Sequence, residues 1–213
     1  DEYLKIDDEM IPYLHIGLSK EDGMKTYDEL AKEFAESLYK ITKGIKKKVW
    51  SDAITILESD GTFTERDIKS WPVVNYPREK IIALEKENLK NEDEEDREYK
   101  ERIEKIFFSI LISPRFRNLS SGHKVILLTL TKLVEKVEEQ TLVLLDEPEE
   151  HLHPPLVSAF IRALSNLLIY TNGVGIIATH SPVIVQEVPK KCVWILRRSG
   201  NELVADRPRI ETF

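Results

Sequence analysis

The stretch Leu142-Val143-Leu144-Leu145-Asp146-Glu147 determines the fold that we expect. Four consecutive apolar residues are typical of a β-strand that is covered on both faces, and two adjacent carboxylates follow them. A second apolar run, Val174-Gly175-Ile176-Ile177-Ala178, lies further along the chain. Between the runs, apolar residues recur at helical spacing, at Leu156, Phe160, Ile161, Leu164, Leu167 and Leu168. This order predicts an α/β fold with a mostly parallel sheet that is flanked by helices.

The carboxyl end of the first strand is where we expect chemistry. Ligands of open α/β sheets bind beyond the carboxyl ends of the strands, so the chain delivers Asp146 and Glu147 to that crevice. One carboxylate can hold a hydrated Mg²⁺ ion while its neighbour orients and deprotonates an attacking water molecule. The alternative is that two acids merely terminate a strand.

A second motif, Leu119-Ser120-Ser121-Gly122-His123-Lys124, stands before an amphipathic helical pattern that ends near Val137. Small residues that open a helix leave backbone N–H groups uncovered. Together with the serine hydroxyls and the positive end of the helix dipole, these groups make a phosphate site. Ser120, Ser121 and Gly122 are therefore candidate phosphate-binding residues. A serine-rich helix cap with no ligand is the alternative.

Polar residues also follow the second apolar run, in Thr179-His180-Ser181-Pro182. Because the two strands are predicted to be parallel, we expect His180 at the same sheet edge as Glu147. Between them, the chain continues from the two acids as Pro148-Glu149-Glu150-His151-Leu152-His153-Pro154. The histidines form an H-x-H pattern, which without further ligands is weak evidence for zinc.

In this order the motifs resemble those of ATP-binding-cassette (ABC-type) ATPases, a group of P-loop NTPases. Asp146 and Glu147 are similar to the Walker B motif with its catalytic glutamate. His180 is similar to the switch histidine, which hydrogen-bonds the terminal phosphate. The resemblance implies ATP and Mg²⁺ as cofactors, with Glu147 and His180 as catalytic residues and Asp146 holding Mg²⁺ through water.

The serine motif resembles the signature of these ATPases, usually written L-S-G-G-Q. Ser121 stands here in place of the first glycine, and His123 in place of the glutamine. The resemblance implies that Ser120, Ser121 and Gly122 face the ATP phosphates held by a neighbouring copy. It therefore implies a homodimer or higher oligomer that forms through ATP.

The stretch from Asp146 to Pro154 resembles the D-loop region of the OLD, RecF and SMC-like branch, whose members act on DNA or in defence. His153 is carried over as a residue of this loop beside the ATP. Residues 155–164 and 207–213 are similar to ATPases of the Septu and retron anti-phage systems, which partner with an HNH nuclease. The resemblance covers roughly residues 115–213. It implies an ATP-hydrolysing switch in nucleic-acid surveillance or anti-phage defence, with nucleic acid bound directly or through a complex.

The phosphate loop G-x-x-x-x-G-K-[ST] of these ATPases is missing from the sequence, because lysine follows none of the eight glycines. We therefore expect that this chain does not hydrolyse ATP by itself in the manner of the family. It is either a piece of a longer protein, which its start without methionine favours, or a natural half that pairs with another chain.

Residues 1–112 differ in composition from residues 113–213, which carry the motifs, and we predict that they form a mainly helical insert or arm. Apolar residues at helical spacing predict a helix from about Tyr27 to Thr42. A long charged helix is predicted to begin near Arg78 and to end in an apolar stripe at residues 103–111. Its charged tract, residues 91–105, is either a solvated face or an arm that meets a partner protein.

Composition narrows the class of protein. A net charge of −7 argues against a globally basic nucleic-acid binder, although it allows a local basic patch. The single cysteine, Cys192, lies in an apolar run where a buried thiol is expected. No apolar run approaches the roughly 20 residues of a membrane helix, and the acidic start is unlike a signal peptide. We therefore expect a cytoplasmic protein with no membrane partner.

Two other functions remain open. A transporter's nucleotide-binding subunit shares the motifs at the sheet edge, although the long charged helices and the H-L-H-P stretch disfavour it. A non-enzymatic regulatory module that retains only the fold is the second alternative.

Overall fold

The computed structural model describes residues 2–6, 9–13, 16, 19–20, 23–59, 61, 68–72, 77–91, 93–150, 152–200 and 202–208. The chain divides into two compact units. The first comprises Asp1–Thr42 and Val73–Glu135, and the second comprises Lys43–Pro72 and Lys136–Phe213. The fold is α/β, rich in helix and with small sheets.

The strands and α-helices follow one another in the order β1 (Glu2–Ile6), β2 (Glu9–Tyr13), β3 (Ser19–Lys20), β4 (Gly23–Met24), α1 (Tyr27–Lys43), α2 (Lys47–Glu58), α3 (Arg78–Glu87), α4 (Asp96–Arg117), α5 (Ser121–Lys136), β5 (Leu142–Asp146), α6 (Pro154–Tyr170), β6 (Val174–Ala178), α7 (Pro182–Gln186), β7 (Ile195–Ser199) and β8 (Glu202–Asp206). Among the described residues these strands form four two-stranded sheets. The pair β5–β6 is parallel, and the pairs β1–β2, β3–β4 and β7–β8 are antiparallel.

Helix α1 confirms the predicted helix and begins where the sequence provides a reciprocal cap. The Glu29 amide donates to Thr26 Oγ1 at 3.2 Å, and the Thr26 amide donates to Glu29 Oε2 at 2.6 Å. Further along, the helix packs on α4 through aromatic rings. Phe34 stacks on Phe116 with ring centroids 4.6 Å apart, and both side chains are fully buried. These rings form part of the core of the first unit.

The prediction of one long charged helix from Arg78 is wrong, because the chain leaves the helix between α3 and α4. The Asn88 side chain donates to the Leu84 carbonyl at 3.0 Å at the end of α3. Arg102 then donates to Glu94 at 2.8 Å and to the Leu89 carbonyl at 3.1 Å, which ties the connecting segment to α4. Helix α4 continues through Pro114, so the proposed boundary between residues 112 and 113 lies inside it.

The second unit contains the predicted strand, helix and strand. Strand β5 pairs in parallel with β6, from Leu142 opposite Val174 to Asp146 opposite Ala178. Helix α6 ends at Tyr170, and the residues that follow turn the chain into β6. Asn172 has a left-handed backbone with φ of 49°, and a Cβ at Gly173 would lie 2.9 Å from the Thr141 carbonyl oxygen. A small residue is therefore needed where α6 turns into β6.

The sheet of β5 and β6 is covered on one face only. Val143 is buried at 7% exposure, and Leu145 and Ile177, which share its face, are half-buried. On the opposite face the exposed fractions are large, at 56% for Leu142, 65% for Leu144, 59% for Val174 and 57% for Ile176. The expectation that both faces of these strands are covered is therefore not met. We call the residues Leu142, Leu144, Val174 and Ile176 the bare face.

Strands β7 and β8 form an antiparallel hairpin, and Gly200 between them has a left-handed backbone with φ of 61°. The preceding stretch differs from expectation, because Cys192 belongs to a short 3₁₀ turn and its side chain is exposed. The apolar run begins its strand only at Ile195, so the thiol lies outside the ladder. Arg207 lies over the Trp194 ring, 3.7 Å from its centroid.

Within the described residues, no helix combines the length and the apolar composition needed to cross a membrane.

Candidate active site

The parallel pairing of β5 and β6 brings the two polar strand ends together. Asp146 is the ladder partner of Ala178, and the Glu147 amide donates to the Ala178 carbonyl at 2.9 Å. The ladder thus continues one residue beyond β5. Glu147 and His180 therefore leave the same edge of the sheet, as the sequence order predicted.

Glu147 and His180 face each other at this edge. The His180 Nδ1 atom lies 3.0 Å from Glu147 Oε2, which is ion-pair distance when the imidazole is protonated. Their side chains are 75% and 49% exposed for His180 and Glu147, respectively. A carboxylate and an imidazole that meet in solvent contact can share a proton and reach a water molecule.

The backbone of Glu147 is unusual. Its φ is +43°, in the left-handed region that a residue with a Cβ atom seldom adopts. Such a conformation costs about 1–2 kcal/mol and persists where the surroundings fix it, commonly at functional sites. Here the hydrogen bond to Ala178 fixes the Glu147 amide. The turn directs the chain from the strand end into the Pro148–Glu150 segment.

Asp146 ends β5 with an exposed side chain. Its carboxylate is the type of oxygen donor that Mg²⁺ prefers when most of the remaining ligands are water and phosphate. The described residues contain no group of three or more histidine, cysteine, aspartate or glutamate side chains that could hold a metal ion by themselves. The donors present therefore fit a hydrated cation that shares its coordination with a phosphate.

Glu149 is the residue of this site that the sequence analysis missed. Its Oε1 atom accepts hydrogen bonds from Thr179 Oγ1 at 2.5 Å, the Ser181 amide at 3.1 Å and the His180 amide at 3.3 Å. The Glu149 side chain is only 12% exposed. The sequence did contain one indication of its role, because Glu149 lies two residues after Glu147, in the loop between the Glu147 and His180 motifs.

The pKa of Glu149 lies below its ordinary value. Burial by itself raises the pKa of this carboxyl, but the hydrogen bonds from the Thr179 hydroxyl and from backbone amides lower it further than burial raises it. Glu149 is therefore a charged group at neutral pH, and it lies between the Walker-B-like strand end and the histidine turn.

Ser120, Ser121 and Gly122 belong to the first unit, whereas Asp146, Glu147 and His180 belong to the second. Helix α5 begins at Ser121. The His123 amide donates to Ser120 Oγ at 3.4 Å. Ser120 thus caps the helix, and both serines are exposed. Ser120, Ser121 and Gly122 therefore lie at the opening of α5, and their proposed phosphate-binding role remains a prediction.

His153 precedes α6 and makes no side-chain cap. Its carbonyl accepts hydrogen bonds from the Leu156 and Val157 amides at 2.9 and 3.1 Å, and its side chain is exposed. His151 lies outside the described residues, as do residues 209–213 of the stretch similar to the Septu ATPases. The proposed role of His153 beside ATP remains a prediction.

A family model matches residues 76–186, just over half of the chain, and its description is "AAA domain, putative AbiEii toxin, Type IV TA system". The matched segment contains every candidate site residue from Ser120 to His180. AAA domains bind nucleotides and act as ATPases, which agrees with the chemistry of the sheet edge.

Among curated proteins, the chain is similar to protein ea59 of Escherichia phage lambda. The two are 39% identical over 204 residues, which cover 94% of this chain. The chain spans 37% of the length of that relative. No solved structure matches the chain significantly. From the family match and the motifs that it contains, we conclude that the chain belongs to the AAA domain family of nucleotide-binding, ATPase-like proteins.

Proposed function

We propose that the chain is the catalytic-edge portion of an ABC-type ATPase, in which Glu147 is the base that activates the attacking water. The observation that carries this proposal is the contact of Glu147 with His180 at the carboxyl edge of a parallel strand pair. A carboxylate beside an imidazole, next to a second carboxylate for a metal, can orient and deprotonate a water molecule that attacks a phosphate.

Each residue has one task in this proposal. Asp146 would hold Mg²⁺ through a water molecule, and the chemistry supplied there would be neutralisation of charge on the ATP phosphates. Glu147 accepts a proton from the attacking water. His180 donates to the terminal phosphate and stays aligned through its contact with Glu147. His153 borders the nucleotide from the D-loop.

We further propose that β5 and β6 belong to a larger, mostly parallel sheet. Isolated parallel pairs are rare, and parallel strands are normally covered on both faces. The bare face offers apolar side chains to water, which supports packing against further chain. The greater length of the phage relative also supports a larger protein. The phosphate loop that this sequence lacks would lie in that additional part.

The opening of α5 supports a dimer built around ATP. Ser120, Ser121 and Gly122 present hydroxyls and N–H groups suited to phosphate oxygens, and in the family resembled here such a segment meets the ATP of the neighbouring copy. ATP would then join two copies, and hydrolysis would release them. Such a cycle is a two-state switch, because the nucleotide binds the closed form more tightly than the open form.

We place this switch in nucleic-acid surveillance or anti-phage defence, acting in the cytoplasm with an HNH nuclease as a candidate partner. The family description names a toxin–antitoxin system, and the phage relative is consistent with conflict between phage and host. Affinity purification of the full-length protein tests this role. A nuclease or nucleic acid in the eluate supports it, whereas an integral membrane protein supports the transporter alternative.

The catalytic proposal is tested with Glu147→Gln in the full-length protein. Removal of a general base lowers turnover by about 10²- to 10⁴-fold. ATP binding should persist, and a dimer with trapped ATP should accumulate on size exclusion. Glu139→Gln is the matched control, since Glu139 is an exposed carboxylate just before β5. Unchanged turnover of Glu147→Gln would remove the assignment of the base, and absence of ATP turnover in the wild type would favour the regulatory module.

A further inference from the structure

Glu149 binds the histidine turn through its backbone rather than through the histidine ring. Its Oε1 atom accepts from donors on three consecutive residues, namely the Thr179 hydroxyl and the amides of His180 and Ser181. The Ser181 amide also donates to Thr179 Oγ1 at 2.9 Å, so the turn closes on itself around the carboxylate. One oxygen therefore accepts a hydrogen bond from each of the three residues 179–181.

The ring of His180 is directed to the other carboxylate. Its Nδ1 atom lies 3.0 Å from Glu147 Oε2 but 3.9 Å from Glu149 Oε1. Glu149 thus holds the histidine by its main chain and leaves the ring to Glu147. The exposures agree with this division, because the Glu149 side chain is 12% exposed and that of Glu147 is 49% exposed. The first is packed within the protein and the second reaches solvent.

We propose that Glu149 is a positioning residue, which fixes the turn after β6 so that the His180 imidazole meets Glu147. This inference rests on the proposed function, because it gives the Glu147–His180 contact its purpose. Glu149 touches neither substrate nor metal in this proposal.

The physical reason is that a flexible turn would not hold an exposed ring. His180 is 75% exposed, so packing does little to fix its side chain. A buried carboxylate with several donors resists rearrangement, since any movement leaves polar groups without partners. Glu149 Oε2 is buried without a hydrogen-bond partner among the described residues. The hydrogen bonds at Oε1 offset the cost of burying that second oxygen.

The test compares Glu149→Ala with Glu149→Gln in the full-length protein. A misplacement of about 1 Å in a catalytic group costs roughly 100-fold in rate, so Glu149→Ala should lower kcat by about 10- to 100-fold. The KM for ATP should change less than kcat, because Glu149 itself makes no contact with nucleotide in this proposal. Glu149→Gln keeps an acceptor oxygen and should recover most of the loss. Glu139→Ala, which removes an exposed carboxylate outside the site, is the matched control.

A second measurement does not depend on turnover. With ¹⁵N-labelled histidine, the ring signals of His180 are assigned by their loss in His180→Ala. These signals should shift in Glu149→Ala and stay in place in Glu139→Ala. Should Glu149→Ala fail to fold, Thr179→Val removes the hydroxyl donor alone. That variant should shift the same signals and lower kcat to a smaller extent.

The outcomes separate the two proposals. If Glu147→Gln abolishes turnover while Glu149→Ala changes neither kcat nor the ring signals, the positioning role is wrong and the catalytic proposal stands. If Glu147→Gln leaves turnover unchanged, the catalytic proposal is wrong, and the ring signals alone decide whether Glu149 orients His180. A change in KM with unchanged kcat would also overturn the positioning role.

Discussion

The imidazole of His180 lies 3.0 Å from the carboxylate of Glu147, although a whole helix separates the two residues in the sequence. Parallel pairing brings the two strand ends together, because β5 and β6 start and end in step and polar residues follow both strands at the same edge. The relationship therefore depends on the register of two strands.

We expect the losses from changing these two residues to be non-additive. His180→Ala should reduce ATP turnover, because the terminal phosphate loses a donor and Glu147 loses its neighbour. In the double variant with Glu147→Gln, turnover should be no lower than in Glu147→Gln alone, since groups that act as a unit fail together. Steady-state phosphate release is measured for the wild type, the two single variants and the double variant, which together form a double-mutant cycle. Losses that multiply in the double variant would show that the two residues act independently.

The proposed exchange of signature residues between copies can be tested by mixing variants. Ser120→Arg and Glu147→Gln should each be inactive alone. If Ser120 serves the ATP of its neighbour, the mixed dimer contains one site with both residues intact, and turnover returns. If both residues serve the same site within one chain, the mixture stays inactive. Thermal unfolding of each variant should first match the wild type, which verifies that neither substitution disturbs the fold.

A stability prediction concerns Gln140, which has a left-handed backbone with φ of 63° in the turn before β5. This conformation costs a residue with a Cβ atom about 1 kcal/mol, and glycine would remove that cost. The greater freedom of glycine in the unfolded chain offsets part of the gain. We therefore expect Gln140→Gly to raise the free energy of unfolding by about 0.5 kcal/mol. Glu139→Gly, at the neighbouring position without a positive φ, should lower it by a similar amount. Urea denaturation distinguishes the two signs.

A pH prediction concerns Glu94 at the start of α4. The hydrogen bond from Arg102 lowers the pKa of Glu94 from 4.5 to about 2, against a smaller opposing effect of burial, and the Asn91 amide and the charge of Arg102 add to the shift. A depressed pKa means that the ionised carboxylate stabilises the fold above pH 4.5, and that this contribution disappears as the pH falls toward about 2.

Glu94→Gln should therefore flatten the fall in stability over that acidic range, and it should lower stability at neutral pH. Glu95→Gln, the next residue, is the control, because the Glu95 side chain makes no cap on α4. Denaturant midpoints across the range provide the measurement. An unchanged slope in Glu94→Gln would contradict the assignment.

The sequence predicted the elements of the sheet edge well, because their signals are local. A run of four apolar residues between a turn and two acids can hardly be anything but a strand, and β5 ends at Asp146 as expected. Helix α6 and strand β6 were equally clear. The contact of Glu147 with His180 followed from strand order, a rule of topology.

Other features depend on information that a local pattern lacks. The break between α3 and α4 comes from Asn88 and from Arg102 reaching back along the chain, and charged residues gave no sign of it. Glu149 looked like one more acid in a charged loop, and only the fold brings the Thr179 turn onto it. The apolar residues of β5 and β6 likewise predict that protein packs on both faces of the sheet. They do not show which part of the protein packs on the bare face.

The bare face has a consequence for the proposed Mg²⁺ site at Asp146. Side chains alternate along a strand, so Leu142, Leu144 and Asp146 point to the same side of the sheet. A layer of protein that packs on Leu144 and Ile176 would also cover Asp146 and exclude bulk water from its carboxylate. Attraction between that carboxylate and a cation strengthens in such a low-dielectric setting. Packing of further protein on the bare face would then also strengthen the binding of Mg²⁺ at Asp146.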